Sequence, residues 1–127
     1  MRILVVDDEQ AISAVLRDVL ELEGYEVEVC CDVTSARTKL SERRFDAAIL
    51  DVFLSDRPVG LDLGREILTN YPETSLLFMT GYADDIDIQA GYASGAYGCI
   101  RKPFDLDDVV RALGVTLDGR RSGQVAA

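Results

Sequence analysis

The chain has 127 residues, 48% of them apolar, with 13 basic and 23 acidic side chains for a formal net charge of −10. That length fits one domain with a packed core, and the acidity points away from nucleic-acid backbones and toward cations or basic protein surfaces. The absence of histidine excludes a Ser-His-Asp triad, a Cys-His dyad, an imidazole metal ligand and a phosphohistidine, and no apolar run approaches the roughly 18 residues of a membrane span.

Ile3-Leu4-Val5-Val6 is short, continuous and β-branched, which predicts a strand buried on both faces. Asp7 and Asp8 follow too early for the apolar region of a secretion signal. From about Gln10 to Glu23, Ile12, Val15, Leu16, Val19 and Leu20 form the apolar stripe of a helix, and Gly24 can end it in a left-handed conformation. Val27, Val29 and Cys31 then alternate with Glu26, Glu28 and Cys30, as in a half-exposed strand. Strand parity sets Cys31 inward beside Val27 and Val29, with Cys30 on the other face. Cys30, Cys31 and Cys99 are odd in number and lack Cys-x-x-Cys spacing, which fits a reduced, cytoplasmic protein with structural cysteines.

The pattern repeats. Asp32 or Thr34 can cap a helix running to about Arg43, with Ala36 and Leu40 inward. Ala47-Ala48-Ile49-Leu50 predicts a strand ending at Asp51. A loop with Pro58 and Gly60 leads to a helix carrying Leu63, Ile67 and Leu68, which ends near Asn70 and Pro72. Leu76 to Met79 predicts a strand ending at Thr80, and a weaker helix is expected over about 84–94. Tyr97 to Ile100 predicts a short strand before Lys102-Pro103. Asp105 and Asp108 open a last helix through Val109, Val110 and Leu113, so the domain is expected over 1–118 with a frayed tail over 119–127. Such strict alternation implies an α/β fold: a single five-stranded parallel sheet with helices on both faces.

The polar residues recur at one place in each unit. Asp7 and Asp8 follow strand one, Asp51 strand three, Thr80 strand four and Lys102 strand five. All sit at carboxyl ends of strands, the edge where open parallel sheets bind ligands. An order of 2-1-3-4-5, one of those open to such a sheet, would set strands one and three side by side, so that Asp7, Asp8 and Asp51 converge. Three carboxylates repel one another, and a hard divalent cation, Mg²⁺ or Mn²⁺, removes the conflict. With the Thr80 hydroxyl and Lys102 ammonium nearby, this chemistry matches phosphoryl transfer to a carboxylate nucleophile.

Val5-Val6-Asp7-Asp8-Glu9, Leu50-Asp51, Met79-Thr80-Gly81 and Lys102-Pro103-Phe104 together resemble the receiver domain of bacterial two-component response regulators over residues 2–117. The resemblance implies a flavodoxin-like (βα)5 fold. It implies that Asp51 accepts a phosphoryl group from a phosphohistidine on a sensor histidine kinase or histidine phosphotransfer protein. It further implies that Asp8 and Asp51 ligate Mg²⁺ directly, Asp7 largely through water, and Phe53 through its backbone carbonyl. Thr80 and Lys102 would bind the phosphoryl oxygens, and the Lys102-Pro103 bond would be cis. The chain departs from the usual receiver at four places. Ser55 replaces a proline, the stretch from Asp51 to Gly60 is one residue longer, Phe53 and Tyr82 flank the phosphoryl position, and Cys99 replaces an aromatic residue. Phe78-Met79-Thr80-Gly81-Tyr82 is also similar to a receiver subgroup that lacks that aromatic. Thr80, Gly81 and Cys99 are therefore the expected switch positions.

Taken singly, Asp7-Asp8 is a turn or helix cap, Asp51 a strand end, Thr80-Gly81 a turn and Lys102 a surface lysine. Tyr92 and Tyr97 read as packing or surface residues. Only the joint placement points to a site. The expected activity is that of a single-domain receiver signalling by contact with a downstream protein, with no direct nucleic-acid or membrane contact and no external metabolite turned over. Two rivals are a receiver-like module that works without phosphorylation and a Mg²⁺-dependent phosphatase of the haloacid-dehalogenase type. The latter wants Asp-x-Asp after strand one, whereas Asp7 and Asp8 are adjacent.

Overall fold

Ile3, Leu4, Val5 and Val6 are completely buried because their strand lies inside the sheet, with helices over both faces. The computed structural model describes residues 1–54, 57–80, 98–101 and 105–121. In chain order the elements are β1 (Arg2–Val6), α1 (Gln10–Leu22), β2 (Glu26–Cys30), α2 (Val33–Glu42), β3 (Ala47–Asp51), α3 (Val59–Asn70), β4 (Ser75–Thr80), β5 (Gly98–Arg101) and α4 (Leu106–Arg121). The strands pair in parallel in the order β2-β1-β3-β4-β5.

Strand parity divides the core in two. Leu4, Val6, Ala48, Leu50, Leu76 and Phe78 face α2 and α3, where Ala36, Leu40, Leu63 and Ile67 meet them. Ile3, Val5, Ile49, Leu77 and Met79 face the other way, onto Leu16 and Leu20 of α1 and Val109, Leu113 and Leu117 of α4. Each Val, Leu, Ile, Phe or Met side chain so removed from water is worth roughly 1.5–3 kcal/mol. Burial on both faces is why these strands read as unbroken apolar runs.

Local chemistry sets the helix ends. Gly24 has φ +94° and its N–H donates to Glu21 O, while Tyr25 N–H donates to Leu20 O. That pair of bonds closes α1 in a Schellman turn that needs a left-handed residue. Asp32 caps α2, its Oδ1 accepting from Ser35 N–H at 2.7 Å.

Several expectations are corrected. Val15 is 45% exposed, and Ser13 takes a buried place on the inner face of α1 instead. One residue turns a helix by about 100°, so position 15 lies that far from the buried centre at Leu16. Cys31 is exposed, not inward, whereas Cys30 does lie on the face opposite Val27 and Val29. Pairing of β2 with β1 ends at Val6 and Cys30, so parity no longer governs Cys31, whose thiol donates to Asp32 Oδ2. Gly60 is the second residue of α3, not part of the preceding loop. The helix expected over 84–94, together with Ser55, Tyr82, Tyr92 and Tyr97, lies outside the described residues.

Candidate functional site

Two adjacent strands deliver the acidic residues to one edge. In the β1–β3 register Val6 pairs with Leu50, so Asp7 and Asp51 come next on neighbouring strands. Both are buried, at 0% and 4% exposure, while Asp8 is exposed. One carboxylate oxygen from each of Asp7, Asp8 and Asp51 lies within 4.8 Å of the other two. The convergence expected from the sequence is therefore present.

Main-chain bonds hold the carboxylates in place. Asp7 N–H donates to Cys30 O at 3.1 Å, and Asp7 Oδ1 accepts from Glu9 N–H at 2.9 Å. Asp51 Oδ1 accepts from Phe53 N–H at 3.1 Å, which sets the rotation of that carboxylate. Val52 N–H donates to Met79 O at 2.9 Å, tying the end of β3 to β4. The Glu9 and Phe53 bonds come from chain leaving the sheet, where main-chain amides turn toward side chains.

Thr80 ends β4 and stands in register with Arg101 of β5, so both strands finish at the edge that carries Asp7 and Asp51. Cys99 lies in β5 opposite Phe78. Gly81, Lys102 and Pro103, and with them the expected cis bond, lie outside the described residues.

Two contributors were missed by sequence reasoning. The Ser13 hydroxyl donates to Asp7 O at 3.3 Å and fastens α1 to the carboxyl end of β1. Its signal was a lone small polar residue on the inner face of an apolar stripe. Gly60 packs against the main chain of Asp51. Its signal was a glycine inside an otherwise apolar helical pattern. A cavity of about 280 Å³ opens beside Asp7 between α1 and β2, lined in part by Gln10, Ser13, Arg17 and Cys31. Nearby, burial is the main cause that pushes the Cys30 thiol up to about 11, against the pull of the Lys39 ammonium, so this cysteine stays a neutral packing residue.

Three ionised carboxylates this close repel by roughly 3–4 kcal/mol per pair at an effective dielectric of about 20. Two of them are also withdrawn from water. An all-oxygen donor set with this span fits a hard cation that keeps part of its water shell, as Mg²⁺ does.

Residues 3–114 match the family model of the response regulator receiver domain. The chain belongs to that family. The receiver is 34% identical over 113 residues to the transcriptional regulatory protein TrcR of Mycobacterium tuberculosis, a match that covers 89% of this chain and 44% of that protein. It is 37% identical over 128 residues to the response regulator protein PmrA of Pseudomonas aeruginosa, covering 98% of this chain and 58% of that protein. The chain thus spans about half the length of these relatives. The crystal structure of a CheY-like receiver domain protein from Methanospirillum hungatei has a TM-score of 0.90 and 30% identity, and the match covers 96% of this chain and 97% of that one. Receivers of two-component systems are signalling domains with a flavodoxin-like α/β fold. Among the described residues no helix is long and apolar enough to cross a membrane.

Proposed function

We propose that this receiver takes a phosphoryl group onto Asp51 from a phosphohistidine of a sensor histidine kinase or histidine phosphotransfer protein, and signals by contact with a downstream protein. The observation that carries this reading is the convergence of the Asp7, Asp8 and Asp51 carboxylates at the shared edge of β1 and β3. A carboxylate oxygen of Asp51 attacks phosphorus and the phosphorus–nitrogen bond breaks. The imidazole nitrogen leaves with the electron pair and takes up a proton. The product is an acyl phosphate on Asp51.

Each residue has a defined part. Asp8, Asp51 and the Phe53 carbonyl hold Mg²⁺ or Mn²⁺, with Asp7 acting largely through water. A cation bound there supplies positive charge to the phosphoryl oxygens. The Thr80 hydroxyl and Lys102 ammonium bind the remaining oxygens. The Phe53 N–H bond to Asp51 Oδ1 orients the nucleophile beforehand, and such orientation is where much of the acceleration in phosphoryl transfer arises. The same groups assist hydrolysis of the acyl phosphate, with Phe53 and Tyr82 governing access of water. The odd number of cysteines, without Cys-x-x-Cys spacing, fits a cytoplasmic setting.

The test is mass labelling by acetyl phosphate or phosphoramidate in the presence of Mg²⁺. Wild type should gain one phosphoryl group on Asp51, and Asp51→Asn should gain none while keeping its fold. Stoichiometric labelling of Asp51→Asn would overturn the assignment.

A further inference from the structure

We propose that Gly60 is a positioning residue for Asp51: it lets the first turn of α3 seat directly on the main chain of the phosphoacceptor, and this seating sets the direction of the carboxylate. The proposal rests on the reading of Asp51 as phosphoacceptor. Gly60 is buried as the second residue of α3. A Cβ built at Gly60 falls onto the Asp51 carbonyl oxygen, and lies 2.9 Å from both the Asp51 carbonyl carbon and Val52 Cα. Real Cβ atoms essentially never approach other heavy atoms that closely.

The obstacle is main chain, so no side-chain rotation relieves it. Positive φ is not the reason for glycine here, unlike Gly24. The requirement is space. Gly60 N–H also donates to Val52 O at 3.0 Å, while Val52 N–H is held by Met79 O from β4. Residues 51 and 52 are therefore gripped between α3 on one side and β4 on the other. Phe53 follows at once, and its N–H fixes Asp51 Oδ1. Three functional atoms follow from the path of three residues: the Asp51 nucleophile, the Phe53 N–H and the Phe53 carbonyl. Any side chain at position 60 must displace that path or lift the start of α3.

The same helix carries its own control. One turn later, a Cβ at Gly64 would meet the Phe78 ring, with Cζ at 2.6 Å, and Leu76 Cδ1 at 3.4 Å. Those atoms belong to side chains in the core between α3 and the sheet, not to the acidic edge. Alanine at either position crowds α3, but only alanine at position 60 presses on Asp51.

The experiment compares wild type, Gly60→Ala and Gly64→Ala as full chains, well below each melting midpoint. The measurements are the Mg²⁺ dissociation constant from an amide NMR titration and the labelling rate with phosphoramidate at saturating Mg²⁺. Both variants should lose stability. Gly60→Ala should label at least about 30-fold more slowly and bind Mg²⁺ several-fold more weakly, as expected for a reacting group displaced by about 1 Å. Gly64→Ala should stay within about threefold of wild type in both, since its reacting groups keep their geometry. Wild-type labelling and Mg²⁺ affinity in Gly60→Ala would overturn the proposal, as would an equal loss in Gly64→Ala. If Gly60→Ala does not fold, Pro58→Gly loosens the start of α3 without adding a Cβ. That variant should label several-fold more slowly, and wild-type labelling there would reduce Gly60 to a folding requirement. If wild type binds Mg²⁺ but takes no label, the phosphoacceptor reading fails, and the Mg²⁺ titrations still decide whether Gly60 shapes the pocket.

Discussion

Val6 of β1 pairs with Leu50 of β3, and that pairing makes Asp7 and Asp51 neighbours across 43 residues of intervening chain. A one-residue slip would turn every side chain of a strand to the opposite face. Because Val6 and Leu50 are both buried among the residues facing α2 and α3, the hydrophobic core enforces the register that builds the acidic site.

Mg²⁺ should stabilise the folded chain, because the cation relieves repulsion that only the folded state creates. At a concentration about ten times the dissociation constant, linkage gives roughly 1.4 kcal/mol, or about 3–6 °C in melting midpoint for a domain of this size. Asp8→Ala should abolish most of the shift. A midpoint unchanged by chelation at millimolar Mg²⁺ would show that the cluster is not a metal site.

The Asp32 cap should give an acid-sensitive contribution to stability. The Ser35 backbone N–H bond holds the Asp32 carboxyl below its ordinary value of 3.8. A depressed folded value means that the contribution is present above the unfolded value and is lost as pH falls through the folded one. Asp32→Ala should therefore melt below wild type at neutral pH, with the gap narrowing as pH drops beneath 3.8. A gap that stays constant down to strong acid would rule out the charged cap as its source.

Ser75, at the start of β4, has a buried hydroxyl with no hydrogen-bond partner among the described residues. A buried group left in that state costs about 1–3 kcal/mol. Ser75→Ala should leave the melting midpoint unchanged or raise it by a few degrees. A loss of more than about 1 kcal/mol would mean that the hydroxyl is bonded in solution.

Activation should not depend on an aromatic side chain at position 99. In the usual receiver, movement of the strand-four hydroxyl toward the phosphoryl group lets a strand-five Tyr or Phe turn inward. Cys99 is too small to fill that space. The change should instead be carried by residues 81–85, starting at Gly81, when Thr80 contacts the phosphoryl group. Amide exchange over residues 81–94, with and without beryllofluoride, reads this directly. Identical protection in both states, with the partner still recruited, would send the signal by another route.

What could be read from the sequence follows from how far each determinant reaches. The β1, β3 and β4 runs were legible because burial on two faces leaves no polar alternation. Asp7, Asp8 and Asp51 were legible because each directly follows such a run. Val15 misled because an apolar stripe does not mark its own centre. Cys31 misled because a strand ends where its partner's pairing ends, which is a property of two segments. Gly60 was placed in a loop because its role depends on contact with Asp51, nine residues earlier, and no local pattern contains that contact.

Among the described residues the sheet ends on one side at β2, whose one neighbour is β1. Open strands invite a second chain to add itself, and inward-facing charge is one defence. Glu28 fills that part here: Lys39 and Arg43 of α2 reach it at 3.1 and 3.0 Å, while Arg2 holds Glu26 at 3.1 Å. An incoming strand would have to displace or dehydrate these ion pairs before gaining any ladder bond. The border of the domain farthest along the sheet from β5 is thereby defended against strand-to-strand pairing between copies of this chain.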